Sequence, residues 1–165
     1  MNRPPSVRAQ TVFSDPVWFL ASGFGTGLAP RAPGTAGTLV GVVLQWMLTP
    51  LAWTSRVLLV LVLCAAGVWI CGRAAEKVGV HDHPAIVYDE VAGYLVTMLF
   101  LPGGWAWMAA GFVAFRFFDI VKPWPIRLVD DQVRGGLGVM LDDLIAGLLA
   151  GSVLAAGATA VRYLN

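Results

Sequence analysis

Charged side chains are scarce in this chain, at 13% of 165 residues, where a soluble domain carries about a quarter. With 58% hydrophobic residues, seven Trp and a mean hydropathy of +0.73, that scarcity excludes an ordinary water-soluble domain and predicts a membrane protein. Basic residues are not in excess either: the formal net charge is +1, so a nucleic-acid partner is not expected. Strand-type alternation, fixed-period repeats and low-complexity tracts are all lacking, which leaves an all-α fold. The length suits one compact domain.

Cysteine is nearly absent. Cys64 and Cys71 lie in one apolar helical run, seven residues and so about 10 Å apart along the axis, too far for a disulfide with its Cα separation of at most about 7 Å. Catalytic signatures are lacking as well. There is no Cys nucleophile followed by an Arg loop, no D-x-D-x-T of an aspartyl-phosphate enzyme, and no G-x-S-x-G elbow. Both histidines fall within three residues of each other, which excludes the histidine-based lipid phosphatases. The N-terminus has charges but no apolar core with a cleavage site, so no signal peptide is expected. What remains is attack by water with the help of a metal.

Residues 1–16 hold three prolines, Arg3 and Arg8 and read as a flexible lead, with a single helical domain over 17–165. Residues 35–53 form an uncharged run of spanning length. Arg56 follows, then a second run over 57–72 and a polar loop over 73–90. The 25 uncharged residues 91–115 are divided by Pro102, Gly103 and Gly104 into limbs of about 18 Å, short of the roughly 30 Å hydrocarbon layer. A helical hairpin dipping into the membrane fits them better than one straight span. Pro123 and Pro125 stop the returning helix near Lys122, and a polar loop follows. The last run, 144–161, is uncharged and rich in Gly, Ala and Leu, suited to close packing in lipid. Several spanning helices are therefore expected. Arg3, Arg8, Arg31, Arg73, Lys77, Lys122, Arg127 and Arg134 then share one side, opposite Arg56 and Arg162, and the positive-inside rule makes that side cytoplasmic.

The scarce charges are concentrated. Residues 115–147 hold Asp119, Asp130, Asp131, Asp142 and Asp143 with Arg116, Lys122, Arg127 and Arg134. Asp89-Glu90 and Asp142-Asp143 each precede an apolar helix, where one acid suffices to cap the helix N-terminus. Two adjacent acids repel unless a cation lies between them, and carboxylate oxygens suit Mg²⁺. Arg116 and Asp119, three apart on one helical face, either pair simply or form part of a site, since charge on a membrane-dipping helix is costly. In the second reading Arg116 and Lys122 contact phosphate, and Asp119 is a metal ligand or general base. Ala32-Pro33-Gly34-Thr35 opens a helix that either is capped by Thr35 or presents free N–H groups to an anion there. The SGFGTG run before it lacks a preceding strand and is not a dinucleotide loop. His81-Asp82-His83 reads as a polar turn or as a source of acid, metal ligand or nucleophile. Asp130 and Asp131 read as solvated surface, leaving Arg134 as a phosphate contact in that loop.

The blocks PGTAGTL, GVHDHPAIVYDEVAGYLV and FRFFDIVKPWPIRLVDDQVRGGLGVMLDDLIAG, in this order, resemble the signature blocks of the bacterial phosphatidylglycerophosphatase A family. The likeness runs over residues 17–161. Tyr88 stands where that family has Trp, and Arg134 where it has His or Lys. The resemblance implies Mg²⁺-dependent hydrolysis of phosphatidylglycerophosphate to phosphatidylglycerol and inorganic phosphate at the inner membrane. It places the metal-binding acids on Asp89, Glu90, Asp119, Asp142 and Asp143, with Asp119 and Asp143 nearest the chemistry. It places the phosphate contacts on Arg116, Lys122 and Arg127, beside Arg134 and Thr35. Two rivals stand: a phosphatase for another phosphorylated lipid, and a divalent-cation channel or transporter subunit. The second would need acids at mid-span, and here they lie at helix ends.

Overall fold

The structure is a computed structural model and describes residues 7–164, with side chains through residue 161. Among the described residues there is no strand. Eight α-helices follow in order: α1 Ala9–Ser14, α2 Pro16–Ala21, α3 Pro33–Leu48, α4 Trp53–Val78, α5 Tyr88–Met98, α6 Trp105–Val121, α7 Ile126–Gln132 and α8 Gly135–Leu164, with one 3-10 turn at Thr26–Leu28. The centre is α5, whose residues from Val91 to Met98 are all buried. It packs against α3, α4, α6 and α8.

Glycines set how closely these helices approach. A Cβ on Gly93 of α5 would meet the Asp143 carbonyl oxygen at 2.7 Å, and one on Gly147 of α8 would run into the Gly93 carbonyl. The two backbones are in contact there, one turn from Asp89 and Asp143, so short aspartate side chains from both helices can reach a common point. At the α4–α8 crossing, a Cβ on Gly136 would strike the Val68 carbonyl. Gly136→Ala therefore destabilises the protein by about 1–3 kcal/mol. Gly157→Ala, a helical position where nothing lies within 4 Å of the added carbon, stabilises it by up to about 1 kcal/mol. Thermal unfolding of the two variants checks this, and equal midpoints would refute the close approach.

Several boundaries differ from those expected. Two helices, α4 and α8, reach the length and apolarity needed to cross a membrane, and only 33% and 22% of their most apolar stretches are buried. The run expected to span at 35–53 is the 16-residue α3, about 24 Å long, because Pro50 ends it. The run 91–115 does divide into two helices, α5 and α6, at the Pro102-Gly103-Gly104 break. The polar loop expected from residue 73 begins later, since Arg73, Glu76 and Lys77 continue α4 to Val78 and Gly79 closes it at φ 74°. Glycine takes this left-handed C-terminal position without a Cβ penalty. Within the expected lead, Ala9–Ser14 is helical and Val12 is wholly buried; Arg3 lies outside the described residues. The loop expected after Pro125 contains α7. Cys64 and Cys71 are both free thiols.

The N-termini of α3, α5 and α8 and the C-termini of α4 and α6 gather at one end. At the other end Trp53 donates its Nε1 hydrogen to the Leu99 carbonyl at 3.2 Å, and the rings of Trp46 and Trp105 stack at 6.4 Å between centroids. Between the ends, Leu39 and Val43 on α3, Leu61 and Val62 on α4, and Val113 and Phe117 on α6 are all exposed.

Candidate active site

Asp89 and Glu90 occupy the first turn of α5, and Asp143 comes from α8. One oxygen from each of these three carboxylates lies within 4.8 Å of the others. Asp89 and Asp143 are 7% and 3% exposed, so there is little water to screen their repulsion. Asp89 Oδ1 accepts a hydrogen bond from the Glu90 backbone N–H at 3.1 Å. Glu90 Oε2 is buried with no hydrogen-bond partner, which is costly for an ionised oxygen unless a cation supplies the missing interaction. Burial raises the Asp89 carboxyl well above the usual aspartate range, and the charges of Glu90 and Asp143 add to this. Glu90 is pushed up to about 7, chiefly by burial and in part by the Asp119 charge, with Asp89 and Arg116 opposing the rise. An all-oxygen set of three acids with an orphaned carboxylate oxygen fits a hard divalent cation such as Mg²⁺.

Beside this group, on the last turns of α6, Arg116 bonds Asp119 and reaches Glu90 Oε1 at 4.0 Å. Asp119 lies close enough to Glu90 and Asp143 for their charges to interact. Arg116 Nε is buried and unpartnered, leaving the guanidinium a donor to spare. Gly34, in the first turn of α3, backs this pair: a Cβ there would collide with Glu90 Oε1 and come within 3.1 Å of an Arg116 nitrogen. Ala32, Pro33, Gly34, Glu90, Arg116 and Asp119 share a cavity of about 320 Å³. Thr35 is half-buried in that same turn of α3 but is not among the residues lining the cavity.

Asp142, next to Asp143 on a helix that turns about 100° per residue, points elsewhere. Its Oδ2 accepts from Lys122 Nζ at 2.7 Å, and Lys122 also pairs with Asp130 Oδ1 at 3.0 Å. Burial works against the Lys122 ammonium, but these two carboxylates outweigh it and raise its pKa. Lys122 itself closes α6 in a left-handed conformation at φ 44°, its backbone N–H donating to the Phe118 carbonyl, a strain a non-glycine residue adopts only when its surroundings impose it. Asp142 and Lys122 thus form a second polar group near the first. Asp89, Asp130, Asp131, Arg134 and Asp142 line a separate cavity of about 340 Å³ together with His81. Asp82, given no separate role by sequence reasoning, lines both cavities.

Arg134 and Arg127 are exposed, and Arg127 lines neither cavity. Replacing Arg127 by Ala therefore changes the KM of the reaction proposed below by no more than about twofold, the scale of one exposed charge; a tenfold rise would put Arg127 in contact with substrate. His83 is buried, accepts from the Ala85 N–H at 3.1 Å and sets its ring edge-on to Trp18. It acts in shaping the turn. The glycines that bring α5 and α8 together, Gly93 and Gly147, carry no chemistry and were missed as site residues. The signal for them was a small residue one turn after each acid.

A family model described as Phosphatidylglycerophosphatase A matches residues 19–158. The chain belongs to this family. It is 43% identical over 148 residues to "Phosphatidylglycerophosphatase A" of Escherichia coli (strain K12), covering 89% of this chain and 86% of that protein. It is 41% identical over 138 residues to "Phosphatidylglycerophosphatase A" of Haemophilus influenzae, covering 82% of this chain and 85% of that protein. No solved structure matches the chain. The matched residues take in α3 to α7 whole, α2 from residue 19 and α8 up to residue 158, and they include every acid of the site.

Proposed function

We propose that the chain hydrolyses the terminal phosphate monoester of phosphatidylglycerophosphate, giving phosphatidylglycerol and inorganic phosphate. The reading is carried by one observation: in a member of this family, three carboxylates, two of them buried and the third partly so, converge beside an arginine with a free donor. In the proposed arrangement Asp89, Glu90 and Asp143 hold Mg²⁺, which when bound supplies positive charge against the phosphate and lowers the pKa of a coordinated water. Arg116 binds the phosphate oxygens through its remaining donors, and Asp119 fixes the plane of that guanidinium. Gly34 leaves room for the headgroup against the first turn of α3. Water adds to phosphorus, the P–O bond to the lipid glycerol breaks, and the glycerol oxygen takes up a proton as it leaves. Positioning and charge neutralisation account for most of what such a transfer needs.

The exposed apolar faces of α3, α4, α6 and α8 support insertion in a bilayer. We place the carboxylate end at the cytoplasmic face of the inner membrane, where Arg31, Arg73, Lys77, Lys122, Arg127 and Arg134 are gathered. The diacyl tail lies along the apolar flanks of α3 and α6, so that only the headgroup enters the polar cavity. Phosphate release by purified protein from phosphatidylglycerophosphate, phosphatidic acid and a soluble phosphate ester, each with and without Mg²⁺, tests the proposal. Turnover of the first well above the others, and only with Mg²⁺, is expected. Equal turnover of all three overturns the substrate, and full turnover in a chelator overturns the metal.

A further inference from the structure

On the face of α5 turned away from Asp89 and Glu90 there is a third, wholly different cavity. Helices α3 and α4 each pack on α5 but make little contact with one another, and the gap between them is a slot of about 430 Å³ lined by Leu44, Leu48, Leu59, Leu63, Val91 and Leu95. Its one conspicuous polar group, the Tyr88 hydroxyl, is already satisfied by donating to the Leu63 carbonyl at 3.1 Å. A slot with no polar demand that opens between two apolar helix flanks suits a hydrocarbon chain.

A cation stands next to one end of the slot without lining it. Arg56 lies on α4 one turn before Leu59, about 4.5 Å along the axis and on the same face. Its Nε is buried and without a hydrogen-bond partner, and no carboxylate among the described residues pairs with it. With no carboxylate partner, a partly exposed guanidinium at the end of a membrane helix favours an anion at its free donors. The nearest source of one, at the mouth of an apolar slot, is a lipid headgroup.

We propose that this slot and Arg56 form a binding site for one anionic phospholipid, its acyl chain between α3 and α4 and its headgroup on the guanidinium, at the end of the molecule opposite the carboxylates. The site rests on the bilayer placement above but not on the chemistry. The occupied slot buttresses α5 from behind, at Tyr88 and Val91, the residues flanking Asp89 and Glu90.

The test uses the full chain reconstituted in phosphatidylcholine nanodiscs containing a minor share of phosphatidylserine, an anionic lipid that is not the proposed product. Lipid retained after release into detergent is counted by native mass spectrometry. Phosphatidylserine is retained well above its share by wild type, and Arg56→Gln lowers that enrichment roughly fivefold, the effect of one interfacial cation. Ala66→Trp, at the slot wall, removes retention of both lipids. Equal retention of the two lipids by wild type, or enrichment unchanged in Arg56→Gln, overturns the site even if Ala66→Trp fails to fold. Phosphate release measured on the same samples separates the two readings. Normal release without lipid retention overturns the slot alone, and selective retention without release upholds the slot while overturning the catalytic reading.

Discussion

Replacing Asp143 by Asn lowers phosphate release on the order of 10³-fold, as expected when a principal electrostatic group is removed from a water-poor site, and yet makes the cation-free protein more stable. Both effects follow from one arrangement. Asp143 shares a buried space with Asp89 and Glu90, three ligand oxygens within 4.8 Å, and like charges this close with little water between them repel strongly. An amide of the same shape removes one charge without opening a cavity. The fold gains while the cation loses a ligand. Thermal unfolding in chelator should show a higher midpoint for Asp143→Asn than for wild type, and added Mg²⁺ should shift the variant less than the wild type. Full activity in the variant would remove Asp143 from the site, and a lower midpoint would show the carboxylate to be a structural partner rather than a strained ligand.

The second large effect is on stability against pH. Glu90 stands at about 7 in the fold against 4.5 for an ordinary glutamate, and Asp89 is raised as well. Between those values the native state holds more protons than the unfolded chain. Stability without cation therefore falls as pH rises from about 4.5 through about 7, by a few kcal/mol. A divalent cation binds the ionised carboxylates, so Mg²⁺ stabilises strongly at pH 8, weakly at pH 5, and activity is lost as pH falls through the same window. Unfolding midpoints with Mg²⁺ and with chelator at the two pH values check this. An Mg²⁺ effect of equal size at both would contradict a cation site built on Glu90 and Asp89.

Much of this site is legible from the sequence because charge is so rare in it. In a chain where most positions are apolar, an acid at the start of a helix is conspicuous, and proline and glycine mark the breaks plainly. The division of 91–115 and the stop at Lys122 both follow from such punctuation. What cannot be read is direction. Asp142 and Asp143 are neighbours in sequence and so diverge on a helix, and which one turns inward depends on where α5 and α6 lie around α8. Asp89 and Glu90 diverge too, yet both reach the cluster because α5 is enclosed on several sides. Arg116 and Asp119 are paired, as the plainer reading of their spacing has it, but that pair is itself set against Glu90. Helix ends within polar stretches were the other loss. Arg73, Glu76 and Lys77 are good helix formers at the end of an already nucleated α4, and α7 is a short helix held by its packing, with Ile126 wholly buried.

The tryptophans at the end remote from the acids bear on how the protein would sit in its bilayer. Trp46, Trp53 and Trp105 are all largely exposed, and indole rings prefer the boundary between headgroups and hydrocarbon. Resting at that boundary, they would act as a depth gauge: α3, a strut of 16 residues and about 24 Å, would hold the carboxylate end short of the far edge of a roughly 30 Å hydrocarbon layer. A thicker or thinner bilayer would then lift or sink the catalytic end relative to the phosphates it must reach.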